Sequence, residues 1–304
     1  MSVISNVQDL IGHTPLFEIS HIKIPNNVRI LAKLEYFNPG GSIKDRLGKA
    51  FIEEAIATRE LLPGGTIIEP TAGNTGIGIA IAAINKGFNV IFCVPDHFSS
   101  EKQQLMKALG AEIVSTPREA GMKGAIEKAE ELLKVIPNSF SPRQFSNIAN
   151  PNAYMKTVAP EIWNELDGKL STFVAGAGTG GTFMGCARYF KEKNKQIKTV
   201  IVEPEGSIIA GGEAGPHRTE GIGMEFLPSY MDKSYFDSIQ TISDQDAFYM
   251  VGQLARKEGL LVGSSSGSAL CGALKEAEIA EEGTTIVTIF PDGSDRYLSK
   301  NIYS

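Results

Sequence analysis

The sequence predicts an α/β protein with largely parallel twisted sheets, and three observations lead to this fold class. Short runs rich in β-branched residues, such as VRILAKLE, TIIEP and NVIFCVP, alternate with amphipathic stretches of helical length, as in βαβ units. Glycine-rich segments follow directly after several of these predicted strands. The 304 residues suffice for two domains of about 150 residues each. We therefore expect each half to carry its own sheet.

The elements follow one another in two series. In the first half, the predicted strands are followed by a helix from Ser42, a helix after Asn74, and the helical stretches SSEKQQLMKALG and GMKGAIEKAEELLKVI. The second half begins with a helix over NAYMKTVAPEIWNEL and alternates STFVAG, TVIVEPEG and TTIVTIFP with further helices, one of them SDQDAFYMVGQLARKEG. Residues 142–152 (PRQFSNIANPN) are a plausible crossing point between the halves. Residues 204–223 form the longest irregular stretch, which indicates a lid or binding loop.

Composition excludes several classes of protein. The net charge of -6 is spread along the chain, so no basic nucleic-acid surface is expected. No segment approaches 18 consecutive apolar residues and no basic, apolar leader opens the chain, so we expect a soluble cytoplasmic protein without a membrane role. The three cysteines lie far apart, which is typical of reduced buried thiols. The four histidines show no i,i+4 pairing, so no metal site is expected.

The segment NPGGSIKDR places a lysine, Lys44, in the first turn of a helix. The glycines before it permit a sharp turn, and Ser42 with Asp45 has the spacing of a capping box. Projection at 100° per residue puts Lys44 on the apolar side of the helix, whereas Arg46 lies on the opposite, exposed side. A snorkelling lysine would explain this placement. A desolvated lysine, however, has a lowered pKa and suits Schiff-base chemistry, and the adjacent glycines favour that interpretation.

Two further glycine-rich segments follow predicted strands. In IIEPTAGNTGIGIA, hydroxyls, an amide and backbone N–H groups come together at a helix N-terminus, which predicts a site for a carboxylate or phosphate; a helix capped by Asn74 explains less of it. FVAGAGTGGTFMG matches G-x-G-x-x-G from Gly176 to Gly181, and Glu203 ends the next strand. These are parts of a dinucleotide fingerprint. A single-phosphate cradle uses the same N–H groups, so both alternatives stay open.

Six motifs, in order, resemble one family. NPGGSIKDR, EPTAGNTG, QFSNIANP, GAGTGGT, EGIGMEF and GSSSG are similar to the fold type II pyridoxal phosphate enzymes, specifically cysteine synthase and cystathionine β-synthase. The resemblance runs over nearly the whole chain. It implies two three-layer α/β/α domains: a smaller one at 35–147, and a larger one formed by 1–34 with 148–304. It also implies a homodimer and possible binding of the C-terminal peptide of serine acetyltransferase.

The resemblance also implies roles for individual residues. Lys44 matches the lysine that forms the internal aldimine with pyridoxal phosphate and then acts as general base. Asn74 matches the residue that hydrogen-bonds the 3′-oxygen of the cofactor, and Ser265 the serine facing its pyridine nitrogen. The phosphate cradle matches Gly178, Thr179, Gly180, Gly181 and Thr182. The substrate-binding residues match Thr71, Ala72, Gly73, Asn74, Thr75 and Gln144, to which Gly221 and Glu225 of EGIGMEF are added.

The implied reaction is β-replacement on O-acetyl-L-serine or L-serine through an aminoacrylate intermediate. A neutral serine on the pyridine nitrogen leaves the ring a weaker electron sink than a charged partner does, which favours loss of a leaving group from Cβ. Ala72 stands where the family usually has serine, and Glu225 stands where the sulfide-using enzymes tend to have a small residue. A carboxylate suits a thiol that carries an ammonium, such as homocysteine. We therefore expect an O-acetylserine-dependent cystathionine β-synthase.

Three alternatives stay open at this point. A cysteine synthase that uses sulfide shares every motif, and Glu225 is then a solvated surface residue. An NAD-dependent dehydrogenase accounts for Gly176 to Gly181 with Glu203 but leaves Lys44 unexplained. A non-catalytic, partner-binding homologue would keep only the fold.

Overall fold

The computed structural model describes residues 3–96 and 99–303, which divide into two compact units. The first unit comprises the residues up to Ile11 together with Asn38–Ala149, and the second comprises Gly12–Phe37 and the chain from Asn150 onward. His97, one of the histidines considered above, lies outside the described residues. Within the described ranges, the structure contains no helix long and apolar enough to cross a membrane.

The helices and strands alternate along the chain as the sequence predicts. From the N-terminus to Phe140 they are β1 Leu16–Glu18, β2 Arg29–Leu34, α1 Lys44–Ala57, β3 Thr66–Pro70, α2 Asn74–Ala83, β4 Asn89–Pro95, α3 Ser100–Ala108, β5 Glu112–Thr116, α4 Gly121–Val135 and β6 Ser139–Phe140. The remaining ones are α5 Ala149–Lys156, α6 Val158–Glu165, β7 Thr172–Gly176, α7 Gly181–Lys193, β8 Lys198–Pro204, β9 Ser238–Ile242, α8 Asp244–Gln253, α9 Ser264–Ile279 and β10 Thr285–Phe290.

The first unit is built on a four-stranded parallel sheet in the order β5-β4-β3-β6. Its strands are apolar runs, as expected of parallel strands covered on both faces. One core cluster contains Ile67 of β3 with residues of α1 and α2, and another contains Ile68 with Ala125 and Ala129 of α4. The alternation of successive strand residues between faces therefore fixes the helices on opposite sides of the sheet.

The N-terminal segment belongs to the first unit, whereas the sequence placed residues 1–34 together in the other domain. The Gln8 side chain donates to the carbonyls of Ile81 at 3.0 Å and Ile84 at 3.1 Å. Val7 and Ile11 pack against the same core. These contacts at the C-terminal end of α2 have no local sequence signal, because they join residues more than 70 positions apart.

The second unit has a six-stranded sheet in the order β1-β2-β10-β7-β8-β9. Only β1 pairs antiparallel with its neighbour, and the other pairings are parallel. The two sheets with helices on their faces confirm the predicted α/β class. Residues 205–232 contain no helix or strand, as predicted for most of this stretch. Ser243 caps α8 by accepting from the Asp246 N–H at 3.1 Å, which confirms the predicted capped helix.

The predicted helix over NAYMKTVAPEIWNEL is wrong in one respect, because the structure breaks it at Thr157 into α5 and α6. Thr157 has φ of -127° and ψ of -77°, outside the helical region. Pro160 explains the break: its ring lacks an N–H and collides with the carbonyl four residues earlier in a continuous helix. A proline in the first turn of α6 is tolerated for the same reason.

Candidate active site

The turn before α1 determines where Lys44 begins the helix. Gly41 has a positive φ of 73°, a conformation that glycine adopts without a steric penalty. The Asp45 carboxylate accepts a hydrogen bond from the Gly40 N–H, and a Cβ at Gly40 would lie 2.4 Å from that carboxylate. The Ser42 hydroxyl accepts from the Lys44 N–H at 3.2 Å. The turn at Gly41 and the hydrogen bond between Gly40 and Asp45 therefore fold the PGGSIKD segment back on itself.

Two details of the predicted helix start are wrong. The helix begins at Lys44 rather than at Ser42, and the Asp45 carboxylate accepts from the Gly40 N–H. Arg46 is buried, with 3% of its surface exposed, although the projection placed it on the exposed side. The first turns of α1 are enclosed all round, so the amphipathic pattern applies only to its later turns. Lys44 itself is half-buried.

Two glycines bring the backbones of α1 and α2 into direct contact. A Cβ at Gly48 would lie 2.2 Å from the carbonyl oxygen of Gly78, and a Cβ at Gly78 would lie 2.2 Å from the carbonyl oxygen of Lys44. Any larger residue at either position would push the helices apart. Since Gly78 lies one turn after Asn74, this contact fixes Lys44 close to the beginning of α2.

The loop TAGNT leads from β3 into the first turn of α2. Thr71, Ala72 and Thr75 are buried, and the Gly73 N–H donates to the Thr71 hydroxyl at 3.4 Å. A Cβ at Gly73 would meet nothing within 4 Å, so the loop faces open space at this residue. The N–H groups of the first helical turn are available to an anion there. The structure therefore supports an anion site at this loop.

Gln144 joins this loop from elsewhere in the first unit. The Thr75 hydroxyl donates to Gln144 Oε1 at 2.8 Å, and both groups are buried. All the predicted substrate-binding residues of the first unit thus lie on one continuous patch around the start of α2. Asn74, the first residue of α2, belongs to the same patch.

The segment GAGTGG, between β7 and α7, is packed so tightly that side chains are excluded at its glycines. A Cβ at Gly178 would lie 2.3 Å from the Gly221 carbonyl oxygen, and one at Gly181 would lie 1.8 Å from Asn150 Oδ1. Gly180 has φ of 80° and leaves no room beside Met231, whose sulfur would lie 2.1 Å away. The loop ends at the N-terminus of α7, where N–H groups without helical partners point toward an anion. Close packing on one side and backbone N–H groups at the start of α7 make this loop, called the cradle below, a candidate phosphate site.

A buried network of hydrogen bonds between uncharged groups supports the cradle. The Asn150 side chain donates to the Thr179 hydroxyl at 3.0 Å and to the Tyr230 hydroxyl at 3.1 Å. The Tyr230 hydroxyl in turn donates to the Thr179 carbonyl at 2.9 Å. Burial is the main reason why the pKa of Tyr230 is raised above its ordinary value, so this hydroxyl stays protonated and can donate.

Ser265 and Gly221 lie beside the cradle in the second unit. Ser265 is buried in the first turn of α9, and a Cβ at Gly221 would lie 3.8 Å from its hydroxyl oxygen. Gly221 has φ of 87°, and the Gly223 N–H donates to the Ala177 carbonyl at 2.9 Å. The EGIG segment is therefore held between the cradle and the start of α9.

Two glutamates in this unit have different environments. Glu203 is buried and accepts from the Ile209 N–H at 2.8 Å, the Ala210 N–H at 3.0 Å and the Thr241 hydroxyl at 3.1 Å. Its carboxylate therefore orders the loop after β8 and is not available to a ribose, which argues against the dinucleotide alternative. Glu225 is exposed, next to the EGIG segment.

The residues present fit pyridoxal phosphate. The loop from Gly178 to Gly181 suits the phosphate because it leads into the N-terminus of α7, where backbone N–H groups can donate to an anion. The buried Ser265 hydroxyl is a neutral partner for a ring nitrogen. Lys44 supplies an amine for an aldehyde carbon. Among the described residues, no cluster of histidine, cysteine, aspartate or glutamate is arranged to hold a metal ion.

The chain belongs to the pyridoxal-phosphate dependent enzyme family, which matches residues 7–292. The O-acetylserine dependent cystathionine beta-synthase of Bacillus subtilis (strain 168) is 59% identical over 303 residues, with 100% of this chain and 99% of that protein covered. A cysteine synthase of Helicobacter pylori (strain ATCC 700392 / 26695) is 53% identical, and both chains are fully covered. These similarities confirm the resemblance to the cysteine synthase and cystathionine β-synthase group.

Solved structures agree with this assignment. The crystal structure of O-acetylserine dependent cystathionine beta-synthase from Helicobacter pylori has a TM-score of 0.96 with this chain at 53% identity, and both chains are covered completely. Cysteine synthase from Entamoeba histolytica has a TM-score of 0.95 at 42% identity, with 99% of this chain and 91% of that one covered. The fold and the pyridoxal phosphate cofactor follow from these matches.

Sequence reasoning missed the residues that support the site. Asn150 lies in QFSNIANP, Tyr230 in an irregular stretch and Glu69 in EPTAGNTG. The sequence motifs assign no role to any of the three. A glutamate in an otherwise apolar strand was a signal, because a buried carboxylate requires hydrogen-bond donors. Their donors and acceptors come from distant parts of the chain, so only the tertiary structure identifies them.

Proposed function

We propose that this enzyme replaces the β-substituent of O-acetyl-L-serine, or of L-serine, with a thiol, and that homocysteine is the thiol, which gives L-cystathionine. The observation that carries the proposal is the buried, uncharged Ser265 hydroxyl beside the glycine cradle. A neutral ring partner favours loss of a group from Cβ over reactions that require a strongly electron-withdrawing ring. The 59% identity with the enzyme of Bacillus subtilis supports the same reaction.

Each predicted residue then has a role. When bound, pyridoxal phosphate supplies an electron sink for the electrons released at the substrate Cα. The Lys44 amine would hold the cofactor and, once released by the amine of the substrate, would accept the Cα proton as general base. Acetate leaves from Cβ as the anion, and the thiol gives up its proton to solvent as its sulfur bonds to the same carbon. Lys44 returns the proton to Cα, so the net products are cystathionine and acetate.

The remaining residues bind and orient. Gly178, Thr179, Gly180, Gly181 and Thr182 hold the phosphate, and Asn74 donates to the 3′-oxygen. The carboxylate of the substrate binds Thr71, Ala72, Gly73, Asn74, Thr75 and Gln144. Because residue 72 has no hydroxyl, backbone N–H groups at the start of α2 carry more of this contact. Gly221 lies beside Ser265 and leaves room for the substrate.

Glu225 is proposed to select the thiol. Its exposed carboxylate is available to the ammonium of homocysteine, whereas sulfide has no group for it to bind. Cysteine synthesis from sulfide is the second candidate, and the 53% identity with a cysteine synthase favours it. The test compares initial rates with sulfide and with homocysteine, each with O-acetylserine and with serine. A higher kcat/KM for sulfide than for homocysteine would contradict the proposed thiol, and no turnover with either would contradict β-replacement.

Three properties accompany the proposed function. We propose that the enzyme is cytoplasmic. We also propose that it is a homodimer, and light scattering tests the homodimer directly. Binding of a serine acetyltransferase C-terminal peptide is also proposed, and titration of the holoenzyme with such a peptide while the cofactor absorbance is monitored tests it. A control peptide with its terminal residue replaced by glycine should leave the spectrum unchanged.

A further inference from the structure

Glu69 occupies an unusual position at the end of β3. Its side chain is 1% exposed, yet it precedes the TAGNT loop by a single proline. The pairing of β3 with β6 has only two residue pairs, Thr66 with Ser139 and Ile67 with Phe140. Continuing this register would place Pro142 opposite Glu69, and a proline has no N–H to donate. The ladder between the two strands therefore ends just before the substrate loop.

The Glu69 carboxylate connects the chain where the ladder stops. One oxygen accepts from the Ser141 hydroxyl at 2.9 Å and from the Arg143 N–H at 3.1 Å. The other oxygen accepts from the Gln144 N–H at 3.3 Å. One carboxylate thus accepts two backbone N–H groups and one side-chain hydroxyl from residues 141–144, and bonds to a charged acceptor are the stronger kind.

The same residues reach the substrate loop through one side chain. The backbone N–H of Gln144 is bound by Glu69. Its side-chain oxygen accepts a hydrogen bond from the Thr75 hydroxyl at 2.8 Å. A displacement of the 141–144 backbone would therefore move Gln144 away from Thr75. Thr75 is in the first turn of α2, so Glu69 is connected through Gln144 to both segments of the proposed carboxylate site, although it is itself buried.

We propose that Glu69 is a positioning residue for the amino-acid substrate, acting by fixing the backbone of Gln144 against Thr75. This inference rests on the proposed function, because it takes Gln144 and Thr75 as substrate-binding residues. The carboxylate needs its negative charge for this role, since only the ionised form accepts all three donors at full strength.

Burial gives the role a pH dependence. Burial, the largest cause, raises the pKa of Glu69 to about 7, against the lowering effects of its hydrogen bonds and of Arg143. The other groups near it are Glu130 of α4, which is paired with Arg143 at 3.2 Å, and the buried thiol of Cys93 on β4. Protonation of Glu69 below neutral pH weakens the bonds to residues 141–144. The KM for O-acetylserine should then rise as the pH falls below about 7.

The experiment compares Glu69→Gln with Glu130→Gln in the holoenzyme. Both variants remove one carboxylate near Arg143, but Glu130 makes only an exposed ion pair, which contributes little. We expect Glu69→Gln to raise the KM for O-acetylserine about tenfold, the effect of about 1.4 kcal/mol. Its KM for the thiol and its cofactor content should be unchanged. The KM of Glu69→Gln should also lose its dependence on pH near 7, whereas Glu130→Gln keeps the wild-type profile.

Several outcomes would overturn the inference. An unchanged KM for O-acetylserine in Glu69→Gln, an equal rise in the KM for the thiol, or an unaltered pH profile each contradicts it. If Glu69→Gln does not fold, Glu69→Asp tests the same point, because its shorter carboxylate cannot reach all three donors, and a wild-type KM then contradicts the role. Wild-type turnover is measured first. No β-replacement by the wild type contradicts the proposed function, whereas an active wild type with an unaffected variant contradicts only the role of Glu69.

Discussion

The two units support their predicted binding loops in different ways. In the second unit, the phosphate cradle is supported by neutral groups, Thr179, Asn150 and Tyr230, and by glycines that leave no room for side chains. In the first unit, the substrate loop depends on one buried carboxylate, Glu69. A neutral network keeps its hydrogen bonds over a wide pH range, but a buried carboxylate changes with protonation. We infer that the hydrogen bonds that support the cradle are insensitive to pH near neutrality and that those that support the substrate loop are not.

Lys44→Ala gives the largest expected effect and tests whether the first unit supplies the reacting amine. We expect kcat/KM to fall by at least about a thousandfold, since the amine serves as attachment point and general base, and the visible absorbance of the bound cofactor to disappear. Lys49→Ala, on the same helix and also half-buried, is the control and should retain both. A Lys44→Ala protein with normal absorbance and turnover would remove this residue from the mechanism.

Stability against pH tests the charged support of the first unit. The pKa of Glu69 is raised in the folded protein, from 4.5 to about 7, so the folded state favours the protonated carboxyl. Its contribution to stability is present below pH 4.5 and is lost as the pH rises through 7, by about 3 kcal/mol. The melting temperature of the wild type should therefore fall relative to that of Glu69→Gln between pH 4.5 and pH 8. Parallel curves for the two proteins would contradict the raised pKa.

Alanine at single glycines separates the two regions by steric effects. Gly181→Ala places a methyl group against the Asn150 side chain and should cost about 1–3 kcal/mol, seen as weaker cofactor binding on reconstitution. Gly73→Ala meets no protein atom within 4 Å, so it should leave cofactor content unchanged and raise the KM for O-acetylserine. Gly212→Ala, whose methyl group would meet only the Ser207 carbonyl oxygen at an ordinary 3.6 Å, is the control. If Gly181→Ala and Gly73→Ala lose cofactor equally, the assignment of the first glycine to cofactor binding and the second to substrate binding is wrong.

Glu225→Ala gives the smallest expected effect and tests thiol selection. We expect the KM for homocysteine to rise about twofold to fivefold and the KM for sulfide to stay the same, because an exposed ion pair contributes at most about 1 kcal/mol. Glu213→Ala removes another exposed carboxylate from the same irregular stretch and serves as control. Equal changes for both thiols would remove the reason to prefer cystathionine over cysteine.

The sequence by itself determined the fold class and the chemical groups of the site. The alternation of apolar strands with helices predicts parallel sheets because the period of side-chain burial is local. Lys44, the TAGNT loop, the GAGTGG loop and Ser265 could be predicted as site residues because their motifs are contiguous. The sequence also misplaced some features: Arg46 is buried, and the single helix predicted over NAYMKTVAPEIWNEL breaks at Thr157.

The tertiary structure decided what supports these groups. Glu69 meets its donors more than 70 residues further along the chain, and Asn150 meets Tyr230 across 80 residues. Gly48 and Gly78 are required only because two helices cross at those positions. Contacts of this kind depend on how distant segments pack, and a local pattern of residues carries no information about the partner. The sequence therefore predicts which groups carry the chemistry, whereas the contacts that support those groups are seen only in the tertiary structure.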